Sequence, residues 1–104
     1  MSINDSETDF KTKVLKDLRS LPYLWCFKTQ ERTLIGIPDI LFCCKGLFGA
    51  IELKLDEELP TLIQEQRLKG IRDAGGFAVY TTPKIWPETL KLIKELVKKL
   101  PPSE

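Results

Sequence analysis

Asp39, Glu52 and Lys54 are the residues of this 104-residue chain whose types and spacing most directly offer chemistry. They lie on two apolar runs, Asp39-Ile40-Leu41-Phe42-Cys43-Cys44 and Leu47 to Leu55, separated by Lys45-Gly46. If Lys45 and Gly46 are the two residues of a tight hairpin turn, Cys44 meets Leu47, Leu41 meets Ala50 and Asp39 meets Glu52. Directly opposed residues have Cβ atoms about 5 Å apart. Two like charges about 4 Å apart repel by about 4 kcal/mol at an effective dielectric constant near 20, so the pair needs compensation. Strand side chains alternate, which puts Lys54 on the face of Glu52, with Leu41, Phe48 and Ala50 beside them. Such neighbours partly desolvate the carboxylates, and a divalent cation is their natural partner.

Oxygen ligands in an open arrangement suit Mg²⁺ or Mn²⁺, which polarises a phosphate and lowers the pKa of a bound water. Lys54 would orient or deprotonate that water, or neutralise charge developing on the phosphate. The expectation is phosphodiester hydrolysis. Against it stands a plainer reading, in which Asp39 is a local hydrogen-bonder at a turn and Glu52 with Lys54 is a solvated, salt-bridged edge.

Composition narrows the choice. The chain has no histidine, which excludes a Ser-His-Asp or Cys-His triad and any zinc site that needs imidazole. Acid-base or metal chemistry must come from Asp, Glu, Lys, Tyr or Cys. The net charge of +1 does not announce a nucleic-acid partner, so a basic surface would have to be local. Apolar residues at 42% and charged residues at 30% fit one globular domain covering residues 1–104. Cys26, Cys43 and Cys44 lack CxxC spacing and sit in apolar stretches, as reduced core residues would. No run is long and apolar enough to span a bilayer, and the polar, acidic N-terminus is unlike a signal peptide. A cytoplasmic protein with no membrane partner is expected.

The elements that must hold these residues follow from periodicity and breakers. Ser6 and Asp9 resemble a capping box, after which Phe10, Val14, Leu15, Leu18 and Leu21 recur at helical spacing, giving a helix over about 7–20. Tyr23 to Lys28 reads as a strand, Thr29 to Thr33 as a polar loop, and the two apolar runs as a hairpin. Thr61 is placed to cap a helix carrying Leu62, Leu68 and Ile71 that ends at Gly75-Gly76. Phe77 to Thr81 is another strand. An amphipathic helix from about Pro87 to Leu100 closes the chain, with Leu90, Ile93, Val97 and Leu100 on one face. The order α-β-β-β-α-β-α makes an α/β fold with a mixed sheet flanked by helices.

With these residues in hand, the chain resembles the PD-(D/E)XK nuclease superfamily, and within it the stand-alone VRR-NUC (virus-type replication-repair nuclease) domains of phages and bacteria. The matching residues are Glu7 and Phe10, Gly36-Ile37-Pro38-Asp39, Ile51-Glu52-Leu53-Lys54, Gln64, and Ala74-Gly75-Gly76 before a strand. The resemblance covers about residues 6 to 82. It implies a restriction-endonuclease-like core and a Mg²⁺- or Mn²⁺-dependent DNA endonuclease, acting on branched DNA such as Holliday junctions, often as a homodimer. It also implies that Asp39, Glu52 and the main-chain carbonyl of Leu53 are metal ligands, that Lys54 is the catalytic lysine, and that Glu7 assists metal binding. In a phage-encoded protein the location would be the host cytoplasm.

Glu7 precedes Phe10 and Val14 by three and seven positions and so shares the core side of its helix, although an acid near a helix N-terminus also favours the dipole. Gln64 lies on the Leu68 and Ile71 face, aimed at the Lys54 region, yet Thr61 and Gln64 also spell a capping box. Lys28, Arg32 and Thr33 precede the Gly36–Asp39 segment as candidate DNA contacts, or as an exposed polar loop. Lys84 and the lysines of the last helix offer a basic flank or a solvated face. Trp25 and Trp86 read as core or interface residues. Two other functions compete with the endonuclease. One is a nucleic-acid-binding module that has the fold without cleavage; the other is an assembly subunit that docks through its C-terminal helix. A nicking or flap-cutting role also stays open.

Overall fold

A computed structural model of the protein describes residues 3–30 and 33–102, with the side chains of residues 3–5 left aside. Helix α1 (Ile3–Arg19) is followed by strands β1 (Leu24–Lys28), β2 (Ile40–Cys44) and β3 (Leu47–Leu53). Helix α2 (Leu62–Asp73), strand β4 (Phe77–Thr81) and helix α3 (Trp86–Lys99) complete the order expected from the sequence. The four strands form one mixed sheet in the order β1-β2-β3-β4, antiparallel except for the parallel β3–β4 pair. The α/β class and the mixed sheet therefore stand.

The hairpin turn is what the sequence required of it. Lys45 (φ 48°) and Gly46 (φ 88°) both take left-handed conformations, the two-residue geometry that matches the twist of the flanking strands. Lys45 also reaches across the fold. Its Nζ donates to the Val97 carbonyl at 2.9 Å and the Leu100 carbonyl at 3.2 Å, occupying acceptors at the end of α3.

Alternation divides the core between the two faces of the sheet. Ile40, Phe42, Cys44 and Ile51 point to the side covered by α1 and α3, where they meet Phe10, Val14, Leu18, Trp86, Ile93 and Val97. On the other side α2 lays Leu68 and Ile71 over Leu41, Ala50 and Ala78. Asp17 accepts the Trp86 indole N–H at 2.8 Å and so joins α1 to α3. α2 begins as expected at Thr61, whose side chain accepts from the Gln64 N–H while the Gln64 Oε1 accepts from the Thr61 N–H.

Connectivity gives the sheet two unlike ends. Pairing places the C-terminal end of β1 beside the start of β2, and β3 and β4 both run toward that same end. The chain re-enters α2 and α3 from there, directly after β3 and β4, and α1 begins on that side because its end leads into the start of β1.

Two local expectations change, and one holds. α1 starts at Ile3, so Ser6 lies inside the helix and caps nothing; the apolar face of the helix, not the Ser6–Asp9 pattern, determines its reach. α2 ends as expected at the glycines, stopping at Asp73 with Ala74 as its C-cap and Gly75 as the left-handed residue beyond (φ 98°). Cys43 is exposed, unlike the buried Cys26 and Cys44, because alternation sends it to the face that α2 only partly covers.

Gly49 faces Phe42 directly, and a Cβ there would overlap the buried ring. Gly49→Ala should therefore lower stability by about 1–3 kcal/mol as an overpacked core position. Gly70→Ala, inside α2 with open space where the methyl would go, should raise it by about 0.5–1 kcal/mol. Urea denaturation of the two variants measures both, and equal effects of the same sign would contradict the packing described.

Candidate active site

The register that places Ile40 opposite Ile51 and Leu41 opposite Ala50 sets Asp39 level with Glu52, one residue before β2 begins. Asp39 is held on both sides. Its carbonyl accepts from the Thr29 N–H at 2.8 Å, and its Oδ2 accepts from the Leu53 N–H at 2.8 Å. Thr29 also donates its hydroxyl to the Pro38 carbonyl at 2.8 Å. The preceding loop leans on α2: Gly36 (φ 84°) lies so close to Ile63 that a Cβ would come within 3.1 Å, and the Arg67 Nε donates to the Ile35 carbonyl. These contacts explain the Gly36-Ile37-Pro38-Asp39 sequence as a device that aims one carboxylate.

Glu52 sits on an inner strand between β2 and β4 and is 4% exposed. Its Oε2 lies 3.7 Å from the Lys54 Nζ, while its Oε1 is buried with no hydrogen-bond partner among the described residues. Burial, and after it the charge of neighbouring Asp39, push the Glu52 carboxyl up to about 8 from an ordinary value of 4.5; Lys54 pulls the other way without prevailing. The 3.7 Å contact is long for a hydrogen bond, which accounts for the weak compensation. Lys54 is itself pinned through its backbone N–H, which donates to the Thr81 carbonyl at 2.9 Å.

Asp39, Glu52, Leu53 and Lys54 line a cleft of about 210 Å³ together with Glu7, Lys11, Leu55 and Glu58. Glu7 is exposed and shares the cleft, but among the described residues no three carboxylate or thiol side chains close into a ligand cluster of their own. A cation there would have the Asp39 and Glu52 carboxylates and, among main-chain groups, the Leu53 carbonyl. The unpartnered, buried Oε1 is the observation that fits such a group.

Gln64 is not among the residues lining the cleft; its amide oxygen is engaged in the α2 capping box. Lys28 is exposed at the end of β1 and lines an adjoining hollow with Glu7 and Lys11; Thr33 is exposed, and Arg32 lies outside the described residues. Two cleft residues escape the sequence reading. Lys11 follows Glu7 by one helical turn, a spacing that would have flagged it. Glu58 belongs to an acidic run that reads as a plain loop; its Oε1 accepts from the Leu55 N–H at 2.7 Å and folds that loop against the cleft.

Comparison with protein-family models, with characterised proteins and with solved structures gives no match to this chain. What the site can do is therefore argued from its own geometry.

The raised Glu52 carboxyl makes stability depend on pH in a definite direction. Below about 4.5 the group is protonated in both folded and unfolded chains. Between about 4.5 and about 8 the unfolded chain gives up the proton while the folded one keeps it, so stability falls as pH rises through this window and levels off above it. Each pH unit across the window costs up to about 1.4 kcal/mol. The melting temperature of the wild type relative to Glu52→Gln should fall between pH 5 and pH 8, and a constant difference would show that Glu52 is not held protonated.

Proposed function

We propose that this protein is a metal-dependent DNA endonuclease with a restriction-endonuclease-like, PD-(D/E)XK type of core, as its resemblance to VRR-NUC domains implies. The observation that carries the reading is the buried, unpartnered Oε1 of Glu52 beside Asp39 and Lys54 in an open cleft. Two acids opposed on an inner strand must share a proton or take up a cation, and the open cleft beside the Glu52 Oε1 leaves room for a hard cation to take the place of that proton.

Asp39, Glu52 and the Leu53 carbonyl would hold Mg²⁺ or Mn²⁺. The cation, when bound, supplies polarisation of the scissile phosphate and a more acidic water. Asp39 contributes a carboxylate whose aim is fixed by the Leu53 and Thr29 contacts, so little reorganisation accompanies ligand binding. Glu52 releases its proton to become a ligand, which makes cation binding stronger as pH rises toward 8. Lys54, half-buried with its backbone locked to β4, keeps its ammonium within the cleft, where it orients the attacking water or neutralises charge on the phosphate. Glu7 and Lys11 on α1 border the path of the substrate. Branched DNA, including four-way junctions, is the substrate proposed, and cutting both strands of a junction would call for a homodimer.

Incubation with supercoiled plasmid and with synthetic duplex, flap and four-way substrates in Mg²⁺, Mn²⁺ or EDTA tests this. Cleavage should require the metal, and Asp39→Ala and Lys54→Ala should each lower it by about 100-fold or more without loss of fold. Undiminished cleavage in either variant would move the site elsewhere. Junction binding without any metal-dependent product would favour a binding module instead.

A further inference from the structure

The sheet face that carries Glu52 is only half covered. Register places Trp25 beside Cys43, Phe27 beside Leu41, and Cys43 beside Phe48, all on the side of Ala50 and Glu52. α2 seals this side over β3 and β4, leaving Trp25 66%, Phe27 40% and Phe48 46% exposed. The chain can bury tryptophan when a core is the purpose, since Trp86 is 2% exposed and hydrogen-bonded. A contiguous aromatic surface left open in this way marks a contact with another molecule.

The border of the patch indicates which kind. The groove between Phe48 and α2 is lined by Gln66, Arg67, Gly70 and Ala74 and holds no carboxylate, in a chain with 15 acidic residues. The Arg67 guanidinium and neutral groups beside exposed aromatic rings suit a polyanion whose bases have π-faces to offer. Direction agrees with this. Trp25 and Phe27 step along β1 toward the end where Thr29 bonds to Asp39, so the row leads to the cleft. Successive side chains on one face of a strand are about 6.6 Å apart, comparable with one nucleotide of an extended single strand. The two rings, 5.3 Å apart and inclined by 47°, both stay open to solvent.

We propose that this open face binds unpaired nucleotides, stacking successive bases on Trp25 and Phe27 and directing the strand into the Asp39–Glu52 cleft. The proposal builds on the nuclease reading and names the substrate feature it selects, a single-stranded segment next to the scissile phosphate.

Binding can be tested apart from cleavage. With EDTA present, titration with a short oligothymidylate should quench the emission of Trp25, since Trp86 is buried and shielded. The same oligonucleotide should protect Cys43, the exposed thiol of the patch, from a thiol reagent. Phe27→Ala and Trp25→Ala should weaken binding of labelled oligonucleotide by about 5- to 100-fold, with duplex affinity nearly unchanged, and Trp25→Phe should restore most of it. A wild type that binds the oligonucleotide in EDTA and yields no product in Mg²⁺ or Mn²⁺ would count against the nuclease reading alone. Emission and Cys43 labelling that stay unmoved at saturating oligonucleotide would overturn the proposal. So would a wild type that sediments as a dimer and becomes monomeric on Trp25→Ala, which would make the face a self-interface.

Discussion

A turn of two residues, both at positive φ, leaves a β-hairpin essentially one register, and the Lys45-Gly46 turn is of this kind. Everything specific about the cleft depends on it. A slip of one residue would send Glu52 to the side of α1 and α3, among Phe42 and Trp86, and carry Ile51 to the face that now holds Glu52. Lys45 strengthens the constraint from a distance, because its ammonium group satisfies carbonyls at the end of α3 and lies 5.2 Å from the Tyr23 ring centroid. The turn, the last helix and the entry to β1 are thereby tied together at the end of the molecule opposite to the cleft.

At the cleft end the chain does the reverse and leaves a polar group short of partners. Lys54 is too far from Glu52 for a good hydrogen bond, Asp39 spends one oxygen on the Leu53 N–H, and Glu52 keeps a proton in place of a counter-ion. Local stability is given up where the rest of the fold is well satisfied, as expected of a site whose ligand completes it.

Much of this was legible in the residues, and for identifiable reasons. Two-residue turns and strand alternation are local rules, so the pairing of Leu41 with Ala50 and the common face of Glu52 and Lys54 could be worked out from spacing alone. The Thr61 cap was readable because capping is decided within four residues. What escaped depends on coverage, which is a tertiary matter. Cys43 and Trp25 look like core residues in an apolar run, and only the narrow footprint of α2 shows that nothing lies over them. Ser6 looked like a cap because its motif is locally complete, while the helix begins before it, at Ile3. Glu58 and the reach of Lys45 to α3 join segments that no short window contains.

Because β3 and β4 run parallel, the pairing of β4 needs the long crossover through α2, whereas β2 and β3 need only their two-residue turn. Hairpins close in about 1–10 microseconds, and non-local pairings wait on slower loop closure. The two acids can thus be brought side by side while still in water, where their repulsion is weak. Glu52 loses its solvent only when β4 seals the strand and the Thr81 carbonyl takes the Lys54 N–H. The burial of Glu52 therefore belongs to the pairing of β4 rather than to the hairpin itself.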